Sequence, residues 1–310
     1  MIDIDTIELK LRKLGIVLDR NSIKLHSEQG WVNEVYIANS NRGRLIIHVG
    51  KHSDKGVQLQ KPRRIFGLSQ FLAEHPKIPS SNVLTYGRDS DGNPFIVQEL
   101  IEGTKLSEIQ EKVIHLKQLA RILAYMHQID VPRGGHIEFK TNQIQGKHKD
   151  WFTFLKRESY ICLAKIYDAR KKEDFSQERY LELRNRIRKF FSIYKKYFED
   201  VKGKLLHGDI GLNNILIQGK QIVALLDLEW SCSGDPAWEF AGHQHIDEAF
   251  LKEYFSELKK LGASVDKDNF RFKIKLYWVI KSLFIANTFK RHNVFKQVMS
   301  EFEKELNEIL

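Results

Sequence analysis

Cysteine is nearly absent from this chain: 310 residues carry two, Cys162 and Cys232, with no CxxC and no paired-histidine spacing. That excludes a disulfide framework and a zinc ribbon, and makes a reducing compartment the default. Proline (6) and glycine (19) are also few, which excludes collagen-like and low-complexity chains. No apolar run is long enough to span a bilayer, since the richest late stretch, Leu276 to Ala286, is broken by Lys281. The opening MIDIDTIELK has acids where a signal peptide needs a basic start and an apolar core. The expectation is a cytoplasmic protein with no membrane partner. GxxxxGK[ST], HExxH and a GxGxxG after a strand are all missing, so Walker-type NTPases, zinc proteases and dinucleotide folds drop out.

What the chain does have is material for a core, with 42% apolar and 11% aromatic residues. Its formal net charge of +10 suits a polyanionic partner. The basic residues are interleaved along helical segments such as Arg184 to Lys196, as solvated faces are, and no helix-turn-helix, RRM or zinc-finger pattern supports a nucleic-acid partner. One window departs from this balance. From Gln221 to Leu251 there is no Lys or Arg, but six carboxylates: Asp227, Glu229, Asp235, Glu239, Asp247 and Glu248. Such a window wants cations.

Up to about Leu100 the pattern is of short β-rich segments: Ile23 to His26, Trp31 to Ala38, Leu45 to Val49, Val83 to Gly87 and Phe95 to Leu100, with Asn41-Arg42-Gly43 as a hairpin tip. A helix from Pro62 to His75 interrupts them, and a short one, Ile4 to Leu14, precedes them. Beyond Gly103 helical periodicity dominates, as in Leu116, Leu119, Ala120, Leu123 and Met126. Further helices are expected over Lys149 to Lys171, Ser176 to Phe198 and in three pieces between Asp247 and Ile309. A small hairpin, Ile215 to Ile217 with Ile222 to Leu226, interrupts the series. Gly134-Gly135 reads as loop punctuation. The expected class is α+β: a small antiparallel β-sheet lobe, residues 1–100, then a larger, mainly helical lobe, residues 101–310, with a cleft between them.

The chemistry gathers around that hairpin. His207-Gly208-Asp209 enters it, Asn214 sits at its near edge and Asp227-Leu228-Glu229 at its far edge. With Ile217 and Ile222 closing the turn, Asn214 falls opposite Leu225, and Asp227 returns to within a residue or two of Asn214. An amide oxygen and a carboxylate are hard donors of the kind Mg²⁺ accepts while keeping waters and phosphate oxygens. Asp209, five residues before Asn214, is placed to act on substrate, aligning an alcohol and accepting its proton as a phosphoryl group transfers. Taken singly, strand-edge Asp and Asn are common turn formers, and His207 reads as a buried, bonded histidine. The ordered set carries the signal.

His207-Gly208-Asp209 with Asn214, Asp227-Leu228-Glu229, and Gly234-Asp235-Pro236-Ala237-Trp238-Glu239-Phe240-Ala241 resemble the aminoglycoside phosphotransferase family, which has a protein-kinase-like bilobal fold. Gly30 and Asn33 resemble its glycine-loop region, Pro94 to Glu99 with Gly103 the segment joining its lobes, and the twin Asn213-Asn214 its hygromycin phosphotransferase branch. The resemblance implies ATP and Mg²⁺ as cofactors, with Asp209 as base, His207 supporting its loop, and Asn214 and Asp227 as metal ligands. It further implies an adenine held by backbone groups near Glu99 to Ile101. Asp235 is expected to cap a helix beginning at Pro236. Glu229 and Glu239 are candidate substrate contacts.

Two departures from that family stand in the upper lobe. Its third strand usually carries a Lys or Arg for the nucleotide phosphates, where Leu45 to Val49 places His48. Either His48, charged beside phosphate, or Lys51 at the strand end is expected to serve. The following helix, from Arg63, has no acid until Glu74, so the usual lysine–glutamate pair is missing or displaced. The function implied is ATP-dependent phosphorylation of a hydroxyl on a small molecule. The acid window favours an amine-bearing acceptor of the aminoglycoside or aminocyclitol class. A metabolite kinase acting on choline, an amino alcohol or a sugar, and a catalytically weak nucleotide-binding pseudokinase, are the alternatives.

Overall fold

The computed structural model of the chain describes residues 3–27, 33–50, 60–141, 143–171 and 173–310. Gly30 and Lys51 lie outside them. The fold is the expected α+β class, in two compact units that are each discontinuous in sequence. Residues 1–119, 137–144 and 209–230 form the first, and residues 120–136, 145–208 and 231–310 the second.

The first unit is built on a five-stranded antiparallel sheet, β1 (Leu18–Leu25), β2 (Asn33–Ser40), β3 (Gly43–Gly50), β4 (Val83–Arg88) and β5 (Pro94–Glu99), in the order β1-β2-β3-β5-β4. Alternation dictates its faces. On β3, Leu45, Ile47 and Val49 are buried while Ile46 and His48 on the opposite face are half-buried. Helix α1 (Ile4–Arg12) covers the buried face, Ile7 and Leu11 joining Ile16, Leu18, Ala38, Phe95 and Val97 in one core. Asp3 caps α1, accepting from Thr6 N–H at 3.2 Å.

Helix α2 (Gln60–Ala73) follows, apolar at Leu68 and Leu72 and packed on β4 and β5. Its approach to the rest of the unit is close at Gly67, where a Cβ would run into the Phe139 ring. A second sheet joins β6 (Thr104–Lys105), β10 (Ile215–Gln218) and β11 (Gln221–Leu225) in the order β11-β10-β6. Helix α3 (Val113–Met126) supports it, Gln118 Oε1 accepting from Ile222 N–H at 3.0 Å.

In the second unit β7 (Gly134–Lys140), β8 (Gln143–His148), β9 (Lys204–Leu206) and β12 (Cys232–Gly234) take the order β8-β7-β12-β9, with residues 137–144 belonging to the first unit. Gly134-Gly135, expected in a loop, therefore starts a strand, Gly135 pairing with Ser233. Helices α4 (Trp151–Arg170), α5 (Gln177–Ile193), α6 (Pro236–Phe240), α7 (Glu248–Lys260), α8 (Lys267–Thr288) and α9 (Phe295–Ile309) complete it. An aromatic core binds them: Trp151 stacks on Phe154 at 5.1 Å and meets Trp238 edge-on at 5.5 Å. Asp235 caps α6 as expected, accepting from Ala237 N–H at 3.0 Å, and its other oxygen takes Tyr277 O–H at 2.9 Å and the Lys273 ammonium. Among the described residues no helix is long and apolar enough to cross a membrane.

Candidate active site

The hairpin closes as the sequence requires, Ile217 opposite Ile222, but a bulge then shifts the register so that Ile215 pairs with Leu225. Asn214 consequently faces Leu226, whose N–H donates to Asn214 O at 2.7 Å. The one-residue shift leaves Asp227 directly beyond the pair. Asp227 adopts φ +59°, the left-handed conformation that Asp tolerates better than most residues and that ends the strand sharply.

Asn214 also fixes Asp209. Its Nδ2 donates to Asp209 O at 2.9 Å and to Asp209 Oδ2 at 3.2 Å, binding the residue by backbone and carboxylate together. Both bonds use the amide nitrogen, so the amide oxygen is the atom that offers lone pairs to a cation. Asp227 is exposed at its own surface, yet protein encloses it on the remaining sides. Desolvation there, together with the charges of Glu229 and Asp209, pushes its pKa up to about 6. One amide oxygen and crowded carboxylates suit Mg²⁺, which takes few protein ligands and keeps phosphates and waters. Among the described residues no group of three or more His, Cys, Asp and Glu is placed to hold a metal ion.

The loop before Asp209 is held by Glu239. Its Oε2 accepts from His207 N–H at 2.6 Å and its Oε1 from Gly208 N–H at 2.9 Å, while Gly208 takes φ +88°, open to glycine at little cost. Glu239 is fully buried, with His127 Nε2 3.6 Å from Oε2. Burial alone pushes its pKa up, but the neighbouring His127 imidazole and the more distant His207 and Lys281 hold it down at about 2. The expected substrate contact at Glu239 is thus replaced by a positioning role. His207 is fully buried as well, in keeping with support of the loop.

Glu229 is likewise engaged within the chain. Its carboxylate forms an ion pair with Lys61 of α2, and its carbonyl accepts from Arg64 Nη2 at 2.6 Å. The substrate contact expected of Glu229 would be made by a carboxylate that already holds Lys61. Lys61 and Arg64 were not among the sequence candidates, although a helix rich in bases and without acids, paired with an extra acid after Asp227, is a signal of the pairing. His48 projects from β3 with Gln98 Nε2 3.4 Å from its Nε2. Desolvation pushes its pKa down to about 4, with smaller opposing effects of Glu229 and Lys61, so the ring is neutral near pH 7. Asn33 begins β2 opposite Gly50. Glu99 ends β5, exposed, its N–H given to Asn82 O at 3.0 Å, and Ile101 lies in the irregular stretch that follows.

The sequence matches the phosphotransferase enzyme family over residues 23–268. No curated protein matches the chain. Solved structures share its fold. A putative fructosamine-3-kinase from Haemophilus somnus 129PT superposes with a TM-score of 0.66 at 16% identity, covering 98% of this chain and 96% of that one. A thermostable mutant of aminoglycoside phosphotransferase APH(4)-Ia, in ternary complex with AMP-PNP and hygromycin B, gives 0.59 at 16%, covering 97% and 98%. The macrolide 2'-phosphotransferase MphH from Brachybacterium faecium gives 0.62 at 14%, covering 98% of each.

Proposed function

The chain belongs to the phosphotransferase enzyme family, and on that premise we propose that it transfers the terminal phosphoryl group of ATP to a hydroxyl of a small molecule. The observation that carries the reading is the pair of hydrogen bonds from Asn214 Nδ2 to Asp209, which joins the candidate base to a candidate metal ligand in one unit. Asp209 orients the acceptor hydroxyl and takes its proton on a carboxylate oxygen as the hydroxyl oxygen attacks the γ-phosphorus and the bond to the β–γ bridging oxygen breaks, releasing ADP. Asn214 Nδ2 holds that carboxylate in place. Asn214 Oδ1 and the Asp227 carboxylate would hold Mg²⁺, which would neutralise charge on the nucleotide phosphates. The Glu239 bonds to His207 and Gly208 N–H keep the loop from rearranging. Backbone groups near Glu99 to Ile101 take the adenine.

For the acceptor we propose an amine-bearing compound, a reading supported by relatives named for fructosamine and hygromycin B. The acid window supports it less than its composition suggests. Glu229 is paired with Lys61, Asp235 with Lys273 and Glu248 with Arg271, while Glu239 is fully buried and Asp247 caps α7. A metabolite kinase for an amino alcohol or a sugar fits the same site. Magnesium-dependent ADP release, measured against a panel of aminoglycosides, amino alcohols, sugars and macrolides, tests the assignment. One acceptor class stimulating release well above the acceptor-free rate is the expected outcome; no stimulation by any class, in a protein that binds nucleotide, favours the pseudokinase.

A further inference from the structure

The phosphates of a nucleotide need a cation, and the site as built is crowded with the opposite charge. Asp209 is tied to Asn214, and Asp227 and Glu229 follow the strand that pairs beside it, so three carboxylates gather at one end of the hairpin. On β3, His48 lies beside Gln98, Nε2 to Nε2 3.4 Å, in a desolvated setting where acquiring a proton is unfavourable. Lys61 stands where charge is wanted. Its ammonium pairs with the Glu229 carboxylate, two residues beyond Asp227 at the end of the hairpin. Its side chain is one-third exposed (32%).

Lys61 is also held there. Lys61 and Arg64, three residues apart and so on one face of α2, grip the turn Leu228–Trp230 through the Glu229 carboxylate and the Glu229 carbonyl respectively. The close packing of Gly67 on Phe139 fixes the helix that presents them. An ammonium has three donors, so it can keep Glu229 and still donate to a phosphate oxygen. We propose that Lys61 is the cation that binds the nucleotide phosphates, with Glu229 as the residue that positions it, so that the lysine–glutamate pair comes from α2 and the turn after Asp227 instead of from β3 and α2. The proposal rests on the kinase reading above.

Binding measurements separate the two. The titrations use Mg²⁺ with AMP-PNP, and adenosine alone, against wild type, Lys61→Ala, Lys61→Arg, Glu229→Gln and His48→Ala. Loss of one charge-assisted contact predicts AMP-PNP binding weakened at least about tenfold in Lys61→Ala, with adenosine affinity within about twofold of wild type. Lys61→Arg should recover most of the loss, and Glu229→Gln should fall between Lys61→Ala and wild type. Retention of AMP-PNP affinity in Lys61→Ala, an equal loss for adenosine, no recovery with Arg, or a larger loss in His48→Ala would each overturn the proposal. Wild type that fails to bind AMP-PNP sinks the kinase reading itself. If Lys61→Ala does not fold by circular dichroism, Lys61→Met gives the same comparison with the stem retained.

Discussion

Glu239 and Asp227 are acids of one basic-residue-free stretch, and the fold treats them in opposite ways. Glu239 has no exposed surface and is satisfied by two backbone N–H donors, with its pKa held down at about 2. Asp227 keeps exposed surface and a left-handed backbone conformation, and desolvation of its carboxylate, with Glu229 and Asp209 nearby, pushes its pKa up to about 6. A compensated carboxylate stabilises a loop, whereas an uncompensated one stores a demand for positive charge.

Removing Glu239 should therefore cause the largest loss of stability. Glu239→Ala leaves the His207 and Gly208 N–H groups without their acceptor, at a cost of roughly 3–5 kcal/mol by analogy with a broken buried charge pair. Denaturant unfolding measures it; a change below about 1 kcal/mol would contradict the account.

Acid should erode the same contribution. A folded pKa of about 2 lies below the ordinary glutamate value of 4.5, so the stabilisation is fully present above about pH 4.5 and is lost as pH falls from there toward 2. In urea titrations across that range, wild type should lose more stability than Glu239→Gln, and parallel curves would count against the depressed pKa.

Asp227 should behave in the reverse sense. Its folded pKa of about 6 exceeds the ordinary 3.8, so ionisation disfavours the metal-free fold as pH rises from about 4 through 6. Asp227→Asn should stabilise the metal-free protein at pH 8 by on the order of 1 kcal/mol, after solvent screening of an exposed group. The gain should vanish near pH 4. A destabilising Asp227→Asn at pH 8 would mean that the carboxylate is compensated after all.

The candidate hairpin was legible in the sequence because its members are local. Asp209, Asn214 and Asp227 are set by strand pairing, and only the bulge between Leu216 and Ile217 escaped, since nothing in Leu216 to Val223 announces an extra residue. The cap at Asp235 was equally local. What the sequence hid was long-range partnership. Glu229 reads as a loose acid until α2 brings Lys61 and Arg64 to it across more than 160 positions. Glu239 reads as an acid on a short helix until its oxygens meet the backbone of the loop ahead of Asp209. Six acids in a window suggest a cation site by composition, but whether each is free depends on bases that lie elsewhere in the chain.

The most direct test of the central claim pairs catalysis with binding in one variant, Asp209→Asn. The substitution keeps the shape of the residue that Asn214 holds while removing the group that accepts the proton. The account predicts phosphoryl transfer reduced about 10²- to 10⁴-fold, as for loss of a general base, with Mg²⁺–AMP-PNP affinity within about threefold of wild type, since no direct nucleotide contact is removed. Wild-type turnover by Asp209→Asn would contradict it.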